Sequence, residues 1–226
     1  MSDKRLDGKR VLVTQADDYM GPITCEVFAE QGAEVIADTS DLTVPTRAAE
    51  LIAETGHIDV LVANLAAPAN LGVSALEMPE DTWQTMFEVM VHPLHRLTQA
   101  VLPQMMERKA GKILAYGSAT GVKGMAGITA YSSARHAQVG YVRSTGAEIA
   151  GYNIQMNLIA QNFVENPVYF PPQFTETPEF KELLKGVPAG RLATAREDAM
   201  FAVFLASNES DFFVGQAIPF SGGWAQ

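Results

Sequence analysis

Short apolar runs of strand length alternate with helical patterns along almost the whole chain. Runs of this kind are typical of strands that are buried on both faces of a sheet. They cover 10–14, Glu34–Ala37, Val60–Asn64, 112–117, 154–159 and Ala217–Phe220. Helices between successive strands predict an α/β fold with a doubly wound parallel sheet, whose ligand crevice lies at the carboxyl ends of the strands. A chain of 226 residues accommodates one such domain, 1–226, and not two.

The connection between the second and third apolar runs is short. Twenty residues separate Asp38 from Asp59, and a helical segment over about 45–55 uses half of them. A unit of strand, helix and strand needs about 30 residues. We therefore expect the second strand to connect through a single helix directly to Val60. The sheet then lacks one strand and helix of the standard dinucleotide-binding version, on the side that would hold adenine.

The overall charge argues against several classes of partner. The net charge is -10 and the isoelectric point is about 4.8, so the protein repels nucleic acid phosphates and anionic membranes. Six of the first ten residues are charged, and no run approaches the roughly 18 apolar residues of a membrane span. The single cysteine, Cys25, fits a reducing compartment. We expect a cytoplasmic protein without a nucleic acid or membrane partner.

Three polar residues near the fourth strand form a catalytic pattern. Ser118 follows that strand directly, and Tyr131 and Arg135 lie one helical turn apart on the next predicted helix. A free phenol titrates near pH 10, but a cation within about 4 to 6 Å favours the phenolate. Tyr131 is therefore a candidate general base, with Ser118 holding the same substrate oxygen. The alternative for Tyr131 and Arg135 is an ordinary surface pair, which the placement of Ser118 disfavours.

The spacing of these residues resembles the short-chain dehydrogenase/reductase superfamily. There, the catalytic tyrosine follows a serine by thirteen residues, and a basic residue comes four further on. Similar segments are VLVTQA from Val11, HIDVLVAN from His57, TQAVLPQM from Thr98 and SGGW from Ser221. The resemblance covers nearly the whole chain and implies a Rossmann-like fold, but by itself it says little about the reaction.

The first loop departs from the superfamily pattern. Dehydrogenases of this type carry three glycines after the first strand, so that the backbone can touch the cofactor's pyrophosphate. Here the segment reads TQADDYMG, with Gln15 and Tyr19 in place of two glycines and only Gly21 retained. Asp17 and Asp18 put negative charge where phosphate would sit. Steric bulk and like charge both oppose a dinucleotide, so we expect no nucleotide cofactor.

The proton relay of the superfamily is also altered. Its asparagine corresponds to Met90, its N-N-A-G stretch reads A-N-L-A at 63–66, and its lysine is Arg135. Arginine stays protonated in proteins and cannot pass protons along. In having Arg135 in place of the lysine and Tyr19 in the first loop, the chain resembles the halohydrin dehalogenases. The segments NPVYFPP, GRLATAREDA and FLASNESDF most resemble the compact members of that family.

That resemblance implies an activity and a halide site. Halohydrin dehalogenases convert vicinal haloalcohols to epoxides without cofactor or metal, and small anions such as azide, cyanide or nitrite reopen the ring. Position by position, it implies catalytic roles for Ser118, Tyr131 and Arg135, halide contacts from Tyr19, Gln161, Asn162 and Phe163, and pocket lining by Tyr169. Many members have proline where this chain has Gln161. Superfamily resemblance implies a homotetramer.

Physical chemistry supports a halide site at these residue types. N–H groups and the positive edges of aromatic rings can hold a large, weakly hydrated anion. The alternative is that Tyr19 and Phe163 are ordinary packing beneath a long aromatic loop, which we expect over 161–178. Two other functions stay open. One is an NAD(P)-dependent reductase with an unusual glycine loop, and the other is a non-catalytic scaffold related to dehydrogenases.

Other polar residues have simpler interpretations. Glu88, His92 and His95 have helical spacing, but Pro93 interrupts the turn and no second cluster completes a metal shell. We interpret them as a helix surface or subunit contact. Asp38 would bind a ribose in an NAD enzyme, but without the glycines we interpret it, like Asp41, as a loop cap or a structural remnant.

Overall fold

The strands form a single parallel sheet in the computed structural model, which describes residues 4–69 and 71–226. The strands are β1 (Arg10–Val13), β2 (Glu34–Ala37), β3 (Val60–Asn64), β4 (Gly111–Ser118), β5 (Ile154–Gln161) and β6 (Ala217–Phe220). Their order across the sheet is β2-β1-β3-β4-β5-β6, and every pairing is parallel. The predicted fold class and each predicted strand are confirmed, with β4 and β5 extending slightly further than expected.

Helices cover both faces of this sheet. They are α1 (Gly21–Glu30), α2 (Arg47–Thr55), α3 (Glu80–Met90), α4 (His92–Arg108), α5 (Thr129–Ile149), α6 (Pro172–Thr175), α7 (Pro178–Leu184) and α8 (Ala195–Ala206). One core packs α2, α4 and α5 against the face that carries Leu12 and Leu61. The other packs α1 and α8 against the face that carries Val13 and Val62. Strands buried on both sides explain the continuous apolar runs of the sequence.

The short connection after β2 has the predicted form. β2 leads into α2 and then into β3, with no strand between them in this described part of the chain. β2 is therefore an edge strand that pairs only with β1. The length argument is confirmed, because nothing in this connection extends the sheet beyond β2.

The segment 161–178 differs from the predicted irregular loop. Gln161 still belongs to β5, Pro172–Thr175 is a short helix, and α7 begins at Pro178. The side chain of Thr177 caps α7 by accepting a hydrogen bond from the backbone N–H of Phe180. Threonine followed by proline is a common helix start, so the sequence itself indicates where α7 begins.

The histidines at the junction of α3 and α4 lie on the surface. Glu88, His92 and His95 are all exposed, and no cluster of metal-ligating side chains occurs within 4–69 or 71–226. Their interpretation as a helix surface is thus supported. None of the helices among the described residues is long and apolar enough to cross a membrane.

Candidate active site

A cavity of about 340 Å³ opens at the carboxyl ends of the central strands. It lies where a parallel sheet of this kind places its ligand crevice. The structure brings every predicted site residue to its wall: Tyr19, Ser118, Tyr131, Arg135, Gln161, Asn162, Phe163 and Tyr169. These residues come from four separate parts of the chain, so the fold alone makes them neighbours.

Ser118 is the last residue of β4 and is almost completely buried. Its Oγ lies 2.9 Å from the Oγ1 of Thr120 and accepts a hydrogen bond from the backbone N–H of Thr120 at 3.2 Å. These contacts hold the hydroxyl in place while it lines the cavity. Sequence reasoning missed Thr120, although a hydroxyl residue two positions after a serine is a common side-chain partner.

Tyr131 and Arg135 lie on the first turns of α5 and are both buried. The Cζ of Arg135 lies 5.0 Å from the centre of the Tyr131 ring. The Tyr131 hydroxyl donates to the hydroxyl of Tyr169 across 3.4 Å. Their interpretation as an exposed surface pair is therefore wrong, because the two side chains meet inside the protein at the cavity wall.

Arg135 also joins three distant parts of the chain. Its Nη1 donates to the carbonyl oxygens of Leu65 and Tyr116 at 3.0 Å each, and to Oε1 of Gln138 at 2.9 Å. Burial lowers the pKa of Arg135, but the phenol groups of Tyr131 and Tyr169 more than compensate and raise it overall. The guanidinium is therefore a fixed positive charge, and it has a structural role that its spacing from Tyr131 did not indicate.

Tyr169 is more central to the site than the sequence suggested. Its hydroxyl accepts from Tyr131 and donates to the carbonyl oxygen of Ala67 at 2.7 Å. Burial, and next the neighbouring Tyr131, raise the pKa of Tyr169 well above its usual value. Oδ1 of Asn166 accepts from the backbone N–H groups of Val168 and Tyr169, and this turn places the ring. The Asn-Pro pair at 166–167 is a turn signal that could have located it.

The loop after β1 is closed by its own side chains. Gln15 reaches across to Ala66, where its Oε1 accepts from the backbone N–H at 2.8 Å and its Nε2 donates to the carbonyl at 3.2 Å. Tyr19 has a φ of +50°, in the left-handed region, and its ring lies 5.3 Å from that of Tyr169. Burial, with Asp18 next, raises the pKa of Tyr19 to about 12.

Several backbone N–H groups of this loop are bound within the protein. Ala16 donates to the carbonyl oxygen of Asp38, Asp18 to that of Gln15, and Gly21 to that of Asp18, so a pyrophosphate here would have to compete with these hydrogen bonds. The N–H of Tyr19 donates to the carboxylate of Asp18, which also places negative charge at the start of α1. Gly21 is required by close packing, since a Cβ there would lie 2.2 Å from the Gln15 carbonyl oxygen.

The predicted halide loop follows β5. Oδ1 of Asn162 accepts from the backbone N–H of Phe163, which adopts a φ of +57°. Phe163 stacks on Phe170 at 5.8 Å and contacts Trp224 at 6.2 Å between ring centres, so it is packed in an aromatic cluster that also lines the cavity. Trp224 was not predicted as a site residue. Phe163 therefore both packs in this aromatic cluster and lines the cavity.

Asp38 and Asp41 cap the loop after β2, as interpreted from the sequence. Oδ1 of Asp38 accepts from the hydroxyl of Ser40 at 2.7 Å, and Oδ1 of Asp41 accepts from the hydroxyl and N–H of Thr43. The two hydrogen bonds from Thr43 lower the pKa of Asp41. Both carboxylates are therefore engaged in local turns.

Known proteins match the chain over nearly its full length. A family model described as enoyl-(acyl carrier protein) reductase matches residues 5–225. The 3-oxoacyl-(acyl-carrier-protein) reductase FabG of Vibrio harveyi is 30% identical over 96% of this chain and 98% of its own. Dehydrogenase/reductase SDR family member 6 of Danio rerio is 31% identical over 97% of this chain and 98% of its own.

Two solved structures are also similar. One, described as a dehalogenation enzyme, is 32% identical and has a TM-score of 0.87, with 98% of this chain and 100% of that chain covered. A gluconate 5-dehydrogenase from Burkholderia cenocepacia J2315, in complex with NADP and tartrate, is 26% identical with a TM-score of 0.87 over 97% and 96% of the two chains. The chain therefore belongs to the short-chain dehydrogenase/reductase superfamily.

Proposed function

We propose that this enzyme converts vicinal haloalcohols to epoxides and releases halide without a nucleotide. One observation carries the proposal: Ser118, Tyr131 and Arg135 meet in an open cavity, while Gln15 closes the neighbouring loop where a dinucleotide would bind. The residues for acid–base chemistry are thus kept, but the glycine loop that would bind a dinucleotide is not.

The reaction begins with proton transfer. The Tyr131 phenolate takes the proton from the substrate hydroxyl, and the Ser118 hydroxyl holds that oxygen in place. The oxygen then forms a bond to the neighbouring carbon as the carbon–halogen bond breaks, and the halide leaves with the bonding electron pair. The products are an epoxide, a halide ion and a proton on Tyr131. The buried Arg135 charge stabilises the phenolate form that starts the cycle.

The leaving halide needs stabilisation away from bulk water. Tyr19, Gln161, Asn162 and Phe163 line the cavity and offer ring edges and amide groups for this purpose. The nucleophilic oxygen and the leaving halide occupy adjacent carbons of the substrate, so correct positioning of the two supplies much of the rate. The same site would catalyse the reverse reaction, in which a small anion opens an epoxide. The active form would be a homotetramer.

The comparisons support this proposal in one respect and a second candidate in another. The solved structure described as a dehalogenation enzyme is 32% identical and matches over 98% of this chain and 100% of its own. The family description and the FabG relatives favour an NAD(P)-dependent reductase instead. A reductase would use Tyr131 and Ser118 on a carbonyl, but it would require the loop of Gln15 and Tyr19 to rearrange around a dinucleotide.

One pair of assays separates the two functions. Purified protein is incubated with 1,3-dichloro-2-propanol without any nucleotide, and chloride and proton release are followed. The reductase assay follows NADH or NADPH oxidation with a 3-oxoacyl thioester. We expect chloride release and no nucleotide oxidation. Nucleotide oxidation without chloride release would replace the proposal with the reductase.

A further inference from the structure

The end of β5 connects the cavity to a buried carboxyl group. Gln161 lines the cavity and pairs with Ser118 in the sheet register. Its Nε2 donates to Oδ2 of Asp198 at 2.6 Å. Asp198 lies on the first turn of α8 and is completely inaccessible to solvent, and its Oδ1 has no hydrogen-bond partner among the described residues. A buried acid with one free oxygen therefore stands directly behind a pocket residue.

The protonation state of this acid decides how the amide can bind to it. A carboxylate only accepts hydrogen bonds, so an ionised Asp198 requires the NH₂ group of Gln161 and leaves the amide oxygen for the cavity. A protonated Asp198 can donate its O–H to that oxygen, which turns the NH₂ group toward the cavity. An amide oxygen repels an anion there, whereas an NH₂ group binds it.

We propose that Asp198 is a positioning residue whose proton selects the end of the Gln161 amide that faces the cavity. The inference rests on the proposed function, because a departing halide is the ligand that gains from the NH₂ group. Halide binding is then coupled to the uptake of one proton at Asp198. The halide affinity should be highest when Asp198 is neutral.

The surroundings of Asp198 fit a proton that exchanges near neutral pH. Burial raises the pKa of Asp198 to about 7, and the hydrogen bond from Gln161 opposes that rise. Tyr116 of β4 interacts electrostatically with Asp198 and with Cys25 of α1, and burial raises the pKa of both Tyr116 and Cys25. Lys112, at the amino end of β4, pairs with Asp211. Charged residues on the adjoining helices are exposed and form ion pairs: Glu26, Glu30, Arg196, Glu197 and Glu209.

Bromide binding tests this coupling. The readout, measured from pH 5.5 to pH 8.5, is saturable quenching of tryptophan fluorescence, to which Trp224 at the cavity wall and Trp83 on α3 both contribute. A Tyr131→Phe background removes that phenol, so that it cannot contribute to the profile. At pH 8.5 bromide should lose its hydrogen bond from the NH₂ group of Gln161. A hydrogen bond to a charged group contributes enough binding free energy that the affinity should be about tenfold lower at pH 8.5 than at pH 5.5.

Three variants decide the cause of the pH dependence. Asp198→Asn keeps the size of the side chain, and its bromide affinity should be independent of pH. Gln161→Leu should bind bromide weakly and also lose the pH dependence. If the Asp198 charge instead repelled bromide directly, the pH dependence would persist in Gln161→Leu. Asp38→Asn, which alters another buried acid hydrogen-bonded to Ser40, should keep the pH dependence of the background protein.

Two results would overturn the inference. A pH dependence that persists in Asp198→Asn or in Gln161→Leu would show that the Asp198 proton does not act through the amide. Bromide binding that is absent at every pH would remove the halide site itself, and with it the proposed function. The first failure leaves dehalogenation intact and the second does not, so the two are distinguishable.

Discussion

The loop after β1 and the cavity beside β4 lie at the same edge of the sheet, and they differ because side chains bind the backbone of the loop, while the cavity is open. In the loop, Gln15 and Asp18 bind the neighbouring backbone groups. Among the described residues, unpaired buried polar atoms occur on both sides, at Nε of Arg135 and Oδ1 of Asp198 near the cavity and at Oδ2 of Asp38 beside the loop. The contrast lies in the backbone of the loop, which nearby side chains bind, whereas the cavity stays open.

That difference separates two requirements that hydride-transferring relatives combine. Acid–base chemistry needs a phenol, a nearby cation and a hydroxyl, and these occur in Tyr131, Arg135 and Ser118. Cofactor binding needs free N–H groups at a helix start. Ser118 ends β4 and the other two residues lie on α5, whereas the N–H groups lie in the loop after β1. Because the two sets lie in different parts of the chain, one can be lost while the other is retained. Four substitutions, from the largest expected effect to the smallest, would sharpen or break this contrast.

Removing the Tyr131 hydroxyl should have the largest effect. Tyr131→Phe deletes the proposed base, and general base catalysis contributes about 100- to 10,000-fold, so halide release should fall by at least about 100-fold. The fold should be intact, as measured by circular dichroism. Tyr152→Phe is a matched control, since Tyr152 is exposed and should keep the full rate. A Tyr131→Phe enzyme that retained its rate would assign the chemistry to another group.

Replacing Arg135 should change the pH profile of halide release. Arg135→Met removes the buried positive charge beside Tyr131, which favours negative charge on the Tyr131 oxygen, so halide release should fall by about 10-fold or more at pH 7 and recover partly in alkaline buffer. Stability should also fall, because three acceptors lose their donor. Arg135→Lys keeps the charge and should show a partial loss, and the exposed Arg143→Met should show none. An unshifted profile in Arg135→Met would contradict the activation of Tyr131.

Asp198 should make the protein less stable as the pH rises. Its pKa is raised to about 7 in the folded protein, whereas an unfolded aspartate titrates near 3.9, so the folded state holds the proton more tightly. The corresponding stability is fully present below about pH 4 and is lost as the pH rises through 7. Asp198→Asn should therefore exceed the parent in free energy of unfolding by up to about 4 kcal/mol at pH 8, and by little at pH 4. Urea denaturation at both values measures this, and an advantage of equal size at both would refute the titration.

Gln15→Ala tests whether the first loop is held closed. It leaves the N–H and carbonyl of Ala66 without their partner, which should cost about 1 to 3 kcal/mol in the free energy of unfolding. Gln99→Ala, at an exposed position on α4, should change it by less than about 0.5 kcal/mol. Equal effects of the two substitutions would mean that Gln15 does not close the loop.

The fold was accessible from the sequence because its signals are local. Buried parallel strands produce continuous apolar runs, and the 20 residues between Asp38 and Asp59 limit what can connect them. The catalytic spacing of Tyr131 and Arg135 is equally local, since four residues make one helical turn. These features need no knowledge of contacts between distant parts of the chain.

Details of the site depend on distant contacts and were not accessible. Gln15 meets Ala66 across 51 positions, and Gln161 meets Asp198 across 37. No periodicity indicates which side chain will reach such a partner. The structural role of Arg135 was missed for the same reason, because its bond to Leu65 spans 70 positions. Tyr169 was underestimated because the turn at Asn166 places it, and only the structure shows what it touches.

Calorimetric titration of the protein with NADH and NADPH tests the central claim most directly. The closed loop of Gln15, Asp18 and Tyr19 predicts no binding of either nucleotide, while halide release proceeds in the same preparation without one. A micromolar dissociation constant for NADH or NADPH would contradict the account, because the loop would then open around a dinucleotide and the reductase function would take precedence.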